Sequence, residues 1–166
     1  ASVCIARWRR CSSLPWWHLS AKVLTKSTAL RKNCGSISSP FRIRFDATIN
    51  ALRVIGDAAG GIAPMTGFNA DQRARAARAR QRGLDCLLAT QVRRNGTQTV
   101  WGQQHDPVTL VPVGARSYEH ASLASRESAA IVQFLMDIPE PDPLIVNAVH
   151  AAAEWLAAHR MTGIFY

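Results

Sequence analysis

Between residues 46 and 59 the apolar positions Ile49, Leu52, Ile55 and Ala59 recur at three- and four-residue steps, the spacing of one face of an α-helix. Asp46 stands where a side chain can cap the start, and Gly60-Gly61 supplies the stop. Residues 63–69, with Pro64 and Gly67, read as a loop. A second helix is predicted over about 71–89, with Ala70, Ala74, Ala77, Leu84, Leu87 and Leu88 toward a core. Its outer face carries Arg73, Arg75, Arg78, Arg80 and Arg82. Asn95-Gly96 has the chemistry of a tight turn, and 97–101 that of a short extended segment.

A third helix, capped by Ser125 and running from Glu127 to about Ile138, turns Ile131, Phe134 and Leu135 inward. Pro139 and Pro141 end it. Asp142-Pro143 then opens a fourth helix with cap and first-turn proline in the preferred order, and its buried stripe is Ile145, Val149, Ala152 and Leu156. Residues 101–119 read as a long loop stiffened by Pro107 and Pro112. Helices joined by loops, without a convincing sheet, predict an all-α fold, and helices pairing across loops suit a helical toroid.

At 166 residues, 48% hydrophobic and 19% charged, the chain has the composition of one globular domain able to bury a core. No apolar run reaches the roughly 18 to 20 residues needed to cross a bilayer. The net charge of +9 is not spread evenly. Residues 1–45 hold nine basic residues (Arg7, Arg9, Arg10, Lys22, Lys26, Arg31, Lys32, Arg42 and Arg44) and no Asp or Glu, whereas from Asp46 onward eleven arginines balance eleven acids. All the lysines, the Trp16-Trp17 pair and three of the four cysteines (Cys4, Cys11, Cys34) fall before the same boundary.

Three readings of residues 1–45 follow. A basic arm for nucleic acid or an anionic surface is one. A secretory signal is another, but Pro15, His18 and Lys22 interrupt the apolar stretch that it requires. The third is a translation artefact or poorly folding appendage, since no helical or alternating pattern is sustained there. The expected division is an irregular basic segment over 1–45 and a folded domain over 46–166. No Cys-x-x-Cys or Cys/His spacing points to zinc, and Cys86 reads as a small buried hydrophobe. The arginine face is either a phosphate contact or a solvated row of good helix formers. Together the arm and that face define the alternative function, a helical nucleic-acid-binding protein.

Residues 101–119 carry Trp101, Gln103, Gln104, His105, Asp106, Arg116, Tyr118 and Glu119 within nineteen positions. An ordered loop of that length tends to be functional. Structural roles stand beside the functional ones. Arg116 suits an ion pair with Glu119 or Asp106, and His105 suits a satisfied loop histidine. Gln103, Gln104 and Asp106 suit bonds to loop backbone, and Trp101 and Tyr118 suit buried packing.

The run Trp-x-Gln-Gln-His-Asp-x-x-Thr-Leu-x-Pro-x-x-Ala-Arg-x-Tyr-Glu, followed by Glu127-Ser128 opening a helix that ends Phe134-Leu135-Met136, resembles the family-ten polysaccharide lyases. Asp46-Ala-Thr-Ile-Asn-Ala-Leu-Arg-Val-Ile55 is similar to the family's Asn-Asp-Asp-Ala helix opening, and 83–91 to the helix before its active-site loop. These enzymes are pectate lyases that cleave polygalacturonate by calcium-assisted β-elimination. The resemblance implies part of an (α/α) toroid with calcium as cofactor, polygalacturonate or pectin as substrate, a monomeric state, and a secreted or periplasmic location. It implies Arg116 as the base. Trp101, Gln103, Gln104, His105, Asp106, Tyr118 and Glu119 become loop or substrate-binding residues, Trp101 and Tyr118 by stacking on sugar faces. Asp46 is a calcium ligand or only a helix cap.

The resemblance begins abruptly at Asp46, because Ile43, Arg44 and Phe45 stand where the family has Phe, Asn and Asp. An upstream acidic calcium-binding segment and downstream carboxylate-holding arginines have no counterpart, which implies a fragment inactive by itself and fits a reading-frame change near residue 45.

Overall fold

A computed structural model describes residues 42–114 and 118–163. The expectations for residues 1–41, including the basic arm, Cys4, Cys11, Cys34 and Trp16-Trp17, lie outside the described residues, as does Arg116. The described part opens with β1 (Ile43–Arg44) and runs directly into α1 (Phe45–Gly60). Arg44 is the N-cap, without a side-chain cap bond, so Asp46 is not the cap; it lies exposed in the first turn, where a carboxylate meets the positive end of the helix. Phe45, Ile49, Leu52 and Ala58 are buried, and Ile55 and Ala59 only partly so. Gly61, at φ 63, closes the helix in the left-handed conformation that costs glycine least.

After a single 3₁₀ turn (Met65–Gly67), α2 (Ala70–Ala89) starts on a capping box. The Asn69 side chain accepts from Gln72 N–H, and the Gln72 side chain accepts from Asn69 N–H, both at 2.9 Å. α2 runs antiparallel to α1, with Gly83 against Leu52, Arg80 across Gly56 and Arg73 beside Gly61. The inward stripe is therefore Ala76, Ala79, Gly83, Leu84 and Leu87, while Ala70, Ala74 and Ala77, expected in the core, are exposed. An Ala/Arg alternation leaves several faces equally apolar; the leucines at one end and the missing side chain at Gly56, over which Arg80 lies, choose among them. Cys86 is half-buried and disulfide-bonded, not the buried thiol that the sequence suggests.

β2 (Arg93–Arg94) and β3 (Thr97–Gln98) form a hairpin across Asn95 (φ 51) and Gly96 (φ 80), the paired left-handed residues that the Asn-Gly turn predicts. α3 (Ser125–Met136) buries Ile131, Phe134 and Leu135 as expected, but its N-cap is Ala124 and not Ser125. α4 (Pro143–Ala158) begins as predicted, with Asp142 Oδ1 accepting from Leu144 N–H at 2.7 Å and Pro143 at the first position. Among the described helices none is long and apolar enough to cross a membrane.

Helices carry the core, yet the fold is not purely α. The loop expected over 101–119 contains β4 (Gln104–His105) and β5 (Pro112–Val113), which join β1 in an antiparallel sheet of order β1-β4-β5. Two-residue strands are too short to leave a period in the sequence, and Pro112 is accommodated because β5 is an edge. Ile43 pairs with His105, and Arg44 with Gln104. Residues 43–45, which the sequence boundary at Asp46 leaves out, are thus integral: Phe45 is buried in a core shared with Leu52, Leu87, Trp101, Ile131 and Ile145.

Gln91 ties three of these parts together. Its Nε2 donates to Thr99 O (2.8 Å) and to Ala148 O of α4 (2.9 Å), and its Oε1 accepts from Gln98 Nε2 (2.8 Å), all in a buried setting. Gln91→Leu would remove these bonds to Thr99 O and Gln98 Nε2 and the cross-link to α4, and we expect a loss of roughly 2–4 kcal/mol in denaturant unfolding. An unchanged midpoint would show that solvent satisfies them.

Candidate functional site

Trp101 is fully buried between α2 and α3. Its indole Nε1–H donates to Leu87 O (2.9 Å), its backbone N–H donates to Ser128 Oγ (3.0 Å), and its carbonyl accepts from Ala124 N–H (2.8 Å). No ring face is left for a sugar, so of the two roles open to Trp101 it is buried packing, not stacking, that the structure shows. Gly102 follows, buried and bridged to Leu123. A Cβ there would lie 2.9 Å from Pro112 Cβ, 3.0 Å from Ser122 O and 3.1 Å from His105 Nε2, which leaves space for glycine alone.

His105 is also fully buried, set edge-on to Phe45 with ring centroids 5.1 Å apart. Nε2 accepts from Gly102 N–H (2.9 Å); the ring proton therefore sits on Nδ1 and donates to Leu110 O (2.8 Å). Burial lowers its pKa below the ordinary 6.5, against the opposing pull of the Leu110 carbonyl. A neutral, inaccessible imidazole with both nitrogens engaged is a brace and not a proton shuttle. Leu110 itself holds φ 61, an unfavourable conformation for leucine that its burial and the His105 bond offset.

Asp106 shapes the tip of the β4–β5 hairpin. Its Oδ1 accepts from Thr109 N–H (2.7 Å), Val108 N–H (2.9 Å) and Thr109 Oγ1 (3.1 Å). The Thr109 and Val108 amides hold its carboxyl below the usual range, with Arg42 adding a smaller electrostatic pull. Gln103 and Gln104 are half-buried on the opposite side of the turn from the tip, Gln104 paired with both Arg44 and Val113. Beyond β5, Gly114 meets the backbone of Glu119: a Cβ at Gly114 would clash with Glu119 O at 2.7 Å. The two ends of the segment that contains Arg116 are therefore brought into contact, while Arg116 lies outside the described residues. Tyr118, 69% exposed, is the site aromatic with an accessible ring. Asp46 lies two residues past Arg44, the partner of Gln104, so β1 carries it to the same sheet. Among the described residues no group of three or more His, Cys, Asp or Glu could hold a metal ion.

The sequence model for pectic acid lyase matches residues 41–166, which takes in the whole sheet and the Trp101 anchor. The chain belongs to the pectic acid lyase family. A family 10 polysaccharide lyase from Cellvibrio cellulosa superimposes with a TM-score of 0.66 and 30% identity, covering 79% of this chain and 45% of that one. An Asp-to-Ala mutant of a Cellvibrio cellulosa family 10 lyase, solved in complex with trigalacturonic acid, gives 0.67 and 29% over the same shares. The chain thus spans under half the length of the solved lyases that it matches. No curated protein sequence matches it. The pectic acid lyase match begins five residues before Asp46, in line with the structural role of β1 and Phe45.

Within this chain the sequence reading missed Gly102, Ser128 and Gln91. Ser128 falls three residues before Ile131 on the buried stripe of α3, and Gln91 four after Leu87, just past the end of α2. A polar residue on an apolar stripe is the available signal, because burial obliges it to find a partner.

His105 sets a pH dependence of stability. Its folded pKa is lowered, so below the ordinary 6.5 the unfolded chain takes up a proton that the native state refuses. Stability from this group is complete above that value and is lost as pH falls toward the native pKa. We expect the denaturant midpoint to drop between about pH 7.5 and about pH 5, and to drop less in His105→Gln. Equal slopes for both proteins would remove His105 as the cause. Asp106, whose folded pKa is depressed, loses its contribution only below the usual carboxylate range, so the two windows separate.

Proposed function

We propose that this chain is part of the catalytic domain of a pectate lyase that cleaves polygalacturonate by β-elimination. The observation that carries the reading is the family match across 41–166, including the segment where the residues of the proposed site are concentrated. Support comes from the Cellvibrio mutant that was solved with trigalacturonic acid, an oligomer of that polymer. In the reaction a base removes the hydrogen at C5 of a galacturonate, the C4–O bond breaks, a C4=C5 double bond forms, and the departing oxygen takes up a proton.

Arg116 is the proposed base, on a segment whose ends are held together at Gly114 and Glu119. A guanidinium is ordinarily protonated, so this role requires neighbouring positive charge to release its proton. Otherwise Arg116 acts as an electrostatic clamp while hydroxide takes the C5 hydrogen. Tyr118 and Glu119, two and three residues on in sequence, are the proposed substrate contacts, with Gln104 in β4 and Gln103 just before it. His105, Asp106 and Trp101 serve this reading as braces.

Calcium dependence belongs to the same proposal; a bound calcium ion would neutralise the C6 carboxylate and so acidify C5. The described residues do not fit a ligand set for it: Asp46 is one exposed carboxylate at a helix start, without an acidic cluster around it. No step is therefore derived through the ion. On the same reading the helices form part of a larger toroid, and the protein is a secreted or periplasmic monomer.

The test follows unsaturated uronide by ultraviolet absorbance as the full-length protein acts on polygalacturonate. We expect activity that a chelator abolishes and added calcium restores, and a fall in kcat of about 10²–10⁴ in Arg116→Ala. Absence of eliminative cleavage by the wild type would end the lyase proposal. Undiminished kcat in the variant would end the role of Arg116.

A further inference from the structure

The arginine-rich face of α2 plays no part in the site above. Arg75, Arg78 and Arg82 form one wall of an open groove of about 600 Å³, whose floor and far side include Ile55, Ala58 and Phe68. Steps of three and four residues place the three guanidinium-bearing positions about 4.5 and 6 Å apart along the helix axis, on one face. All three side chains are exposed, and among the described residues no ion pair engages them. Asp85, one turn from Arg82, is occupied by Gln81 Nε2 at 2.9 Å. No acidic residue lines the groove. Residues 1–41, which contain no Asp or Glu, are no electrostatic complement to it.

We propose that this groove is an accessory site for a polyuronate chain, which holds the polymer while a distant stretch of it is cleaved. The identity of the polyanion rests on the lyase reading above. A row of unneutralised guanidiniums calls for an equally repetitive row of carboxylates, and a polyuronate carries one on every sugar. Each guanidinium can grip a carboxylate with two parallel hydrogen bonds. The lining fits the other requirement of a sugar ring: Ala58, Ala76 and Ala79 leave room between the helices, and Phe68, 37% exposed, supplies an aromatic side chain for a C–H surface.

The experiment compares the full-length wild type with a variant carrying Arg75→Gln, Arg78→Gln and Arg82→Gln. Native gels contain polygalacturonate, fully methyl-esterified pectin, polyglutamate or DNA, and kinetics use polygalacturonate and trigalacturonate. We expect polygalacturonate to retard the wild type in a salt-sensitive way, and the other three polymers to retard it far less. In the variant that retardation is lost and KM for the polymer rises roughly tenfold, the size expected for three exposed ion pairs, with kcat unchanged. KM for trigalacturonate, too short to reach both sites, stays constant. If the triple variant folds poorly, Arg78→Glu alone must raise KM for the polymer severalfold.

An unchanged polymer KM, or an equal rise for trigalacturonate, would overturn the accessory site. Equal retardation by DNA or polyglutamate would reduce it to general polyanion attraction and overturn it too. So would a lower melting temperature with undisturbed retardation, because the groove would then be an internal contact of the protein. If the wild type binds polygalacturonate through these arginines but never cleaves it, the lyase reading fails and the binding site stands.

Discussion

Trp101 joins the two halves of the described fold through three hydrogen bonds and a fully buried indole. The ring reaches the carbonyl of Leu87 near the end of α2, while the backbone on either side is held by Ser128 and Ala124 at the start of α3. Such an anchor combines a large apolar area with a donor that burial obliges to be paired. The described residues between Gly102 and Leu123 depart from the helices at this point and return beside it, at the Gly102–Leu123 bridge. The residues of the proposed site therefore sit on an excursion whose two ends are fastened at one place.

Inside the excursion, precision comes from polar groups that face inward. His105 spans from Gly102 to Leu110 and rests on Phe45, so the hairpin, its turn and the first residue of α1 share one contact. Asp106 gathers the amides of the turn on one oxygen. His105 is enclosed and Asp106 engages one oxygen with the turn, so each fixes backbone from which other side chains project. Supporting residues of this kind commonly decide whether a site keeps its geometry.

The sequence made the helices legible and left the sheet hidden. Ile131, Phe134 and Leu135, the Asp142-Pro143 start and the Asn95-Gly96 turn follow from spacing and turn chemistry that act locally. The β1-β4-β5 sheet is built from two-residue strands whose pairing joins positions about sixty residues apart, and no local pattern encodes that. The register of α2 was equally hidden, because alternating alanines and arginines favour no face until Leu52 meets Gly83 and Arg80 lies across Gly56. In the candidate site the residue types were visible as a dense run, but their division into braces and outward-facing groups depends on burial. Trp101 and His105, chemically the most suggestive, turn out to be the most enclosed.

The contact between Gly114 and the carbonyl of Glu119 carries a consequence for how this family can vary. The approach is fixed by backbone on both sides, so it constrains the number of residues between the two positions independently of the chemistry that their side chains carry. Insertions between Gly114 and Glu119 would be tolerated only where they leave that pinch intact.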